Sequence, residues 1–148
     1  MAMRSDPLSP EQRSWTMSRV RSADTRPELA VRRVVHALGY RYRLHDRKLP
    51  GRPDLVFRAR HKVIFVHGCF WHAHQCRAGS KKPKANAEYW RAKLGRNRAR
   101  DKRVLRELCL EGWSALVVWE CELRDRLALE SKLTSFLGAR ADATARAV

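Results

Sequence analysis

Residues 53–66, Pro53-Asp54-Leu55-Val56-Phe57-Arg58-Ala59-Arg60-His61-Lys62-Val63-Ile64-Phe65-Val66, hold two short apolar, β-prone runs separated by a mostly polar break. Branched and aromatic side chains fit a pleated, half-buried surface, and a polar break of this length reverses the chain, so a β-hairpin is expected. With the reversal centred near Arg60, residue 54 falls roughly opposite residue 66. That register sets Asp54 beside Val66 and His67.

Upstream, Thr25-Arg26-Pro27-Glu28 has the form of a capping box, and Val31, Val34, Val35 and Leu38 follow at helical spacing before Gly39. A core helix is expected there. Tyr40, Tyr42 and Leu44 then alternate with Arg41, Arg43 and His45, the pattern of a half-exposed strand, which Leu49-Pro50-Gly51-Arg52-Pro53 stops. Downstream, residues 77–106 carry twelve Lys or Arg against two acids, Glu88 and Asp101, and read as a loop followed by a basic helix. Its apolar end is Leu105, Leu108 and Cys109, and Gly112 closes it. Residues 115–119, Ala-Leu-Val-Val-Trp, read as a buried strand. A last helix over about 124–137 turns Leu127, Leu133 and Phe136 or Leu137 inward and stops at Gly138.

Ser9-Pro10-Glu11-Gln12 marks the start of a first helix, expected over about 10–20, whose few apolar residues (Trp15, Met17, Val20) suit an arm better than a core element. The chain of 148 residues is long enough for one independently stable domain. The expected organisation is an arm over 1–22, a core over 23–137 and a frayed, Ala-rich tail over 138–148.

A formal charge of +17 and a pI near 11.0 point to a polyanionic partner, nucleic acid ahead of an anionic membrane surface. No apolar run approaches the roughly 18 residues of a membrane span, and residues 1–10 lack the core of a signal peptide, so a soluble intracellular protein is expected. Disulfides rarely persist in a reducing compartment, which leaves metal ligation or burial for Cys69, Cys76, Cys109 and Cys121.

Residues 66–76, Val66-His67-Gly68-Cys69-Phe70-Trp71-His72-Ala73-His74-Gln75-Cys76, crowd thiols and imidazoles into a loop. Cys69, His74 and Cys76, with Cys121 from the end of the next strand, make a Cys3His set suited to a closed structural zinc site. The competing reading, small buried residues, fits Cys109 on the apolar side of a helix. It fits Cys69 and Cys76 poorly, because they flank polar groups in a loop.

Hydrolysis of a phosphodiester needs an activated water, charge stabilisation and a proton path. Asp54 is a hard oxygen ligand for Mg²⁺, which the Val66 carbonyl can share, and His67 and His72 can move protons near neutral pH. Turn chemistry is the alternative for Asp54, and helix capping is the alternative for Glu28.

The turn 49–54, the run Phe65-Val66-His67-Gly68-Cys69-Phe70-Trp71-His72 and Val118-Trp119-Glu120-Cys121 together resemble the very-short-patch repair (Vsr) DNA mismatch endonucleases. The likeness covers roughly 14–137 and includes Met17, Asp24-Thr25, Tyr89-Trp90, Gly95-Arg96-Asn97 and Asp101. It implies a restriction-endonuclease-like α/β fold: a central mixed sheet flanked by helices, with a structural zinc site and an N-terminal helical arm. The implied activity is Mg²⁺-dependent nicking of one DNA strand 5′ to the thymine of a T:G mismatch left by 5-methylcytosine deamination. On the resemblance, Asp54 and the Val66 carbonyl hold Mg²⁺, His72 acts on the attacking water, and His67 assists at the leaving group or scissile phosphate. Glu28 orients His72 or a metal-bound water, and Cys69, His74, Cys76 and Cys121 hold zinc. The better-known members have threonine at the position of Val66 and a more His-rich loop where Ala73 and Gln75 stand.

Mismatch recognition tests how readily a base step unstacks. By resemblance Phe70, Trp71 and Trp90 intercalate from one groove and the first helix, with Met17 and Val20, reaches the other. From the residues alone, Phe70 and Trp71 read equally well as core under a metal loop. The basic tract, including Arg91, Lys93, Arg96 and Arg98, is expected on phosphates, since its cations lack the balancing acids of a solvated helix ladder. The expected partner is duplex DNA containing a T:G mismatch, with other mismatch-repair proteins downstream. The expected state is a cytoplasmic, nucleoid-associated monomer. A zinc-structured DNA-binding module without catalysis, or a nuclease for another DNA lesion, are the alternatives.

Overall fold

The computed structural model describes residues 24–80 and 84–138. The expected first helix, with Met17, and the tail beyond 138 lie outside the described residues.

Thr25 caps α1 (Arg26–Ala37), its Oγ1 accepting the Glu28 amide at 3.4 Å. The return bond differs from a standard capping box: Glu28 Oε2 accepts the Asp24 amide at 2.9 Å. Gly39 takes φ +94°, a conformation costly for other residues, and so lets the Tyr40 amide close the helix on the Val35 carbonyl. The strand expected over 40–44 shrinks to β1 (Arg43–Leu44). With only two residues in register it covers little, and Leu44 is left 44% exposed.

The hairpin forms as β2 (Leu55–Phe57) and β3 (Lys62–His67), turning through Arg58–Arg60 and a left-handed His61. Leu55 pairs with Ile64, one residue away from the expected register. Next come α2 (Ala87–Leu110) and β4 (Ser114–Trp119), then a short helical turn (Glu120–Arg124) and α3 (Arg126–Leu137). The mixed sheet runs β1-β2-β3-β4, antiparallel up to β3, with β4 parallel to it.

Side chains alternate across β3. Ile64 and Val66 pack with Val31, Val35, Leu129 and Leu133 of α1 and α3, while Val63 and Phe65 pack with Leu108 of α2. Three layers result, with α1 and α3 on one face and α2 on the other. Two expectations about burial fail. β4 lies at the sheet edge, so only Val118 is fully buried. Cys109 is exposed because α2 turns Leu108 inward instead.

The phase of α3 also differs. Asp125 caps it, accepting the Ala128 amide at 3.1 Å, and the inward positions become Leu129, Leu133 and Leu137. Leu127, two residues from Leu129 and so on the opposite side of the helix, is 79% exposed. Among the described residues no helix is long and apolar enough to cross a membrane.

Candidate functional site

β3 and β4 run parallel and end side by side, with His67 paired to Trp119. The loop after β3 and the turn after β4 therefore meet at one edge of the sheet. The reversed strand β2 begins at that edge too, which delivers Asp54. Three clusters of ligand-type side chains gather there.

The first is Asp54 with its surroundings on α1. Asp54 Oδ2 accepts the Val66 amide at 2.6 Å, so the side chain reaches the expected neighbour despite the shifted strand register. Its carboxyl is pushed up to about 7, chiefly by burial and further by the adjacent Glu28, with the Val66 N–H opposing the rise. Glu28, only 4% exposed, lies 3.3 Å from Arg32 Nη2 and 3.4 Å from His45 Nε2. His45 Nε2 is in turn 3.7 Å from Asp54 Oδ1. Hard oxygen donors whose own field resists ionisation suit a divalent cation, whose charge would relieve that resistance. The donor set thus fits the expected Mg²⁺.

The second cluster is a histidine pair backed by a carboxylate. His67 and His72 stack face to face, with ring centroids 3.7 Å apart and planes at 4°. His72 Nδ1 lies 2.6 Å from Asp101 Oδ2, which α2 supplies. His67 is buried, and among the described residues its Nδ1 has no hydrogen-bond partner. Burial first, then the neighbouring His72, pull its pKa down to about 4, which keeps the ring neutral. The carboxylate on His72 is therefore Asp101, while Glu28 engages Asp24, Arg32, His45 and Asp54. Among the described residues no hydrogen bond or ion pair joins Asp54, Glu28, Arg32 or His45 to the histidine pair; they flank the end of β3, tied through the consecutive residues Val66 and His67.

The third cluster is Cys69, His74, Cys76 and Cys121, whose donor atoms all lie within 4.8 Å of one another. The Cys121 amide points at Cys69 Sγ (3.4 Å), and Cys121 Sγ sits 3.6 Å from His74 Nδ1. The Gly79 amide donates to Cys76 Sγ at 3.3 Å and pulls that thiol down to about 6, while burial pushes Cys69 up to about 12. A Cβ at Gly79 would fall 2.1 Å from the His74 carbonyl oxygen, so only glycine closes the loop this tightly. Three sulfurs and one imidazole converging this closely fit a tetrahedral zinc ion.

Trp119 touches both the second and third clusters. Its ring stacks on His74 (4.0 Å, 13°) and stands edge-on to His67 (5.2 Å, 76°).

Beside them Phe70, Trp71 and Trp90 form an aromatic group, with centroids 5.1 to 5.9 Å apart, and Asn97 Nδ2 donates to the Trp71 carbonyl at 2.9 Å. These rings are half-buried, not core. Lys93 Nζ lies 5.5 Å from the Trp71 ring centre and 5.9 Å from that of Trp90, so in the free protein this cation caps the rings. Arg91, Arg96 and Arg98 are exposed along α2. Met17 lies outside the described residues.

Reading the residues missed three partners. Asp101 carries a signal, an acid isolated among cations, whereas Arg32 and His45 carry none beyond their places next to a helix's apolar positions and in an alternating run.

Comparison with known proteins places these clusters in a family context. Residues 5–78 match the family model described as DNA mismatch endonuclease Vsr. The chain is 54% identical over 132 residues to type II nicking enzyme V.XorIIP of Xanthomonas oryzae pv. oryzae, covering 89% of this chain and 96% of that one. It is 38% identical over 128 residues to type II nicking enzyme V.NmeAIP of Neisseria meningitidis, covering 86% and 91%. It is 42% identical over 114 residues to the DNA mismatch endonuclease Vsr of Escherichia coli K12, covering 77% and 72%.

Proposed function

The chain belongs to the DNA mismatch endonuclease Vsr family, and from that premise we propose that it nicks one strand of duplex DNA 5′ to the thymine of a T:G mismatch, using Mg²⁺. One observation carries the reading: Asp54 is bonded to the Val66 amide, and the next residue, His67, leads through His72 to Asp101. A phosphodiester laid across the end of β3 has a carboxylate centre on one side and an imidazole pair on the other.

Asp54 and the Val66 carbonyl would hold the cation, and Glu28 borders that centre. When bound, a divalent cation supplies charge neutralisation at the phosphate and a more acidic water. Asp101 accepts the Nδ1–H of His72 and so leaves Nε2 free to take the proton of the attacking water. His67, neutral at physiological pH, donates a hydrogen bond to the phosphate and is not an imidazolium acid.

Cys69, His74, Cys76 and Cys121 would hold structural zinc and thereby fix the loop that carries His72. Phe70, Trp71 and Trp90 supply the wedge that enters a weakly paired step, with Met17 of the arm meeting it from the other groove. Arg91, Arg96 and Arg98 meet phosphates, and Lys93 leaves the rings for the same purpose. The same reading takes the fold as restriction-endonuclease-like and the protein as a cytoplasmic monomer that hands its nick to other repair proteins.

End-labelled T:G, matched and otherwise mismatched duplexes, incubated with and without Mg²⁺, test the proposal. A single nick on the thymine strand of T:G, dependent on Mg²⁺ and absent with Asp54→Ala, is the expected result. Binding to T:G without any nick would leave a DNA-binding module instead.

A further inference from the structure

Arg32 has no place in the chemistry above, yet its side chain is only 11% exposed and its Nη2 reaches Asp24, Glu28 and His45. It lies 2.7 Å from Asp24 Oδ1, 3.3 Å from Glu28 Oε2 and 3.5 Å from His45 Nε2. Through His45 and Glu28 it abuts Asp54, whose ionisation its charge favours. Among the described residues its Nε is buried without a hydrogen-bond partner. A guanidinium held this way, with a donor left unsatisfied, is placed for its charge more than for complete hydrogen bonding.

We infer that Arg32 sets the cation affinity of the Asp54 centre, serving as the resident counter-charge of the Glu28–Asp54 pair so that a divalent ion binds in competition with it. The inference rests on the reading of Asp54 as a cation ligand. Removal of the guanidinium leaves Glu28 buried and uncompensated, and a buried carboxylate in that condition strongly favours an incoming cation. The proton competing for Asp54 gains as well, but a divalent ion gains twice as much from the loss of one neighbouring positive charge. Arg32 thus weakens cation binding in the free protein.

Zinc-loaded full-length wild type, Arg32→Gln, Arg32→Lys and Asp54→Asn are titrated with Mn²⁺ at pH 8, with free ion measured by its paramagnetic resonance. Arg32→Gln should bind Mn²⁺ about tenfold or more tightly than wild type, and Arg32→Lys, which keeps the charge, should stay near wild type. Asp54→Asn should lose the site. Unchanged or weaker binding by Arg32→Gln overturns the counter-charge role while leaving the Asp54 centre standing. Wild-type binding by Asp54→Asn overturns the centre itself and the inference with it. If Arg32→Gln does not fold, the Arg32 Nε–H resonance of ¹⁵N-arginine-labelled wild type, assigned from Arg32→Lys, decides the matter. A shift on adding Mg²⁺ supports displacement of the guanidinium, and an unmoved signal overturns it.

Discussion

The imidazole of His74 lies flat against the indole of Trp119, with centroids 4.0 Å apart and planes at 13°, and the same indole stands edge-on to His67. One side chain at the end of β4 thus braces both the Cys/His cluster and the histidine pair. Trp119→Ala should keep its zinc, since all four ligands remain, but lower the nicking rate on T:G duplex by roughly 10–100-fold through misplaced imidazoles. Trp119→Phe, which keeps a ring in both contacts, should recover most of that loss. Single-turnover rates beside zinc content check this, and a full rate in Trp119→Ala would remove Trp119 from the catalytic geometry.

Asp101, within α2, holds His72 at 2.6 Å. Replacing it by Asn preserves shape but removes the negative charge and offers an NH2 that can donate to Nδ1 and favour the other tautomer. The expected loss in kcat is about 10²–10⁴-fold with DNA affinity little changed. An unaltered kcat would show that His72 needs no partner.

Cys121 belongs to the proposed zinc set and Cys109 does not, being exposed on α2. Cys121→Ser should drop zinc below one ion per chain and cost on the order of 3–5 kcal/mol, a fall of about 10 °C in Tm. Cys109→Ser should leave both values where they were. Elemental analysis and thermal melts of the two variants separate the outcomes, and identical behaviour would contradict the ligand assignment.

Burial raises the Asp54 carboxyl to about 7 from an ordinary 3.8. The folded protein therefore holds a proton that the unfolded chain has released, and this group's contribution to stability is lost as pH climbs from about 4 to 7. Asp54→Asn has no such proton to lose. In Mg²⁺-free, zinc-loaded protein its stability advantage over wild type should widen across that range, reaching on the order of 2–4 kcal/mol. Urea melts at successive pH values measure the gap, and a gap that narrows would reverse the sign.

The phase of α3 has its own test. Leu129 is 2% exposed and Leu127 is 79% exposed. Leu129→Ala should cost about 2–5 kcal/mol, while Leu127→Ala should stay within about 0.5 kcal/mol of wild type. Equal costs would return Leu127 to the core.

Much of the architecture is legible in local pattern. The two β-prone runs around Arg58–Arg60 form the hairpin, Thr25 caps α1, and the long basic run becomes α2, because alternation, capping and helical spacing act over a few neighbouring residues. The gathering of Cys69, His74 and Cys76 with Cys121 was also readable, since metal-binding side chains are scarce and have few other reasons to sit in loops. Local pattern was weaker wherever one residue of phase decided burial, as at Leu127 and Cys109.

Tertiary structure alone decided the pairings between elements. Asp101 meets His72, and Arg32 and His45 close around Glu28 and Asp54, only because α1 and α2 dock on opposite faces of the sheet and bring these residues to the end where β3 and β4 finish. Docking depends on the packing of both cores at once, a property of the whole chain that no short window of residues contains. Residue chemistry named the donors and acids, and the fold chose their partners.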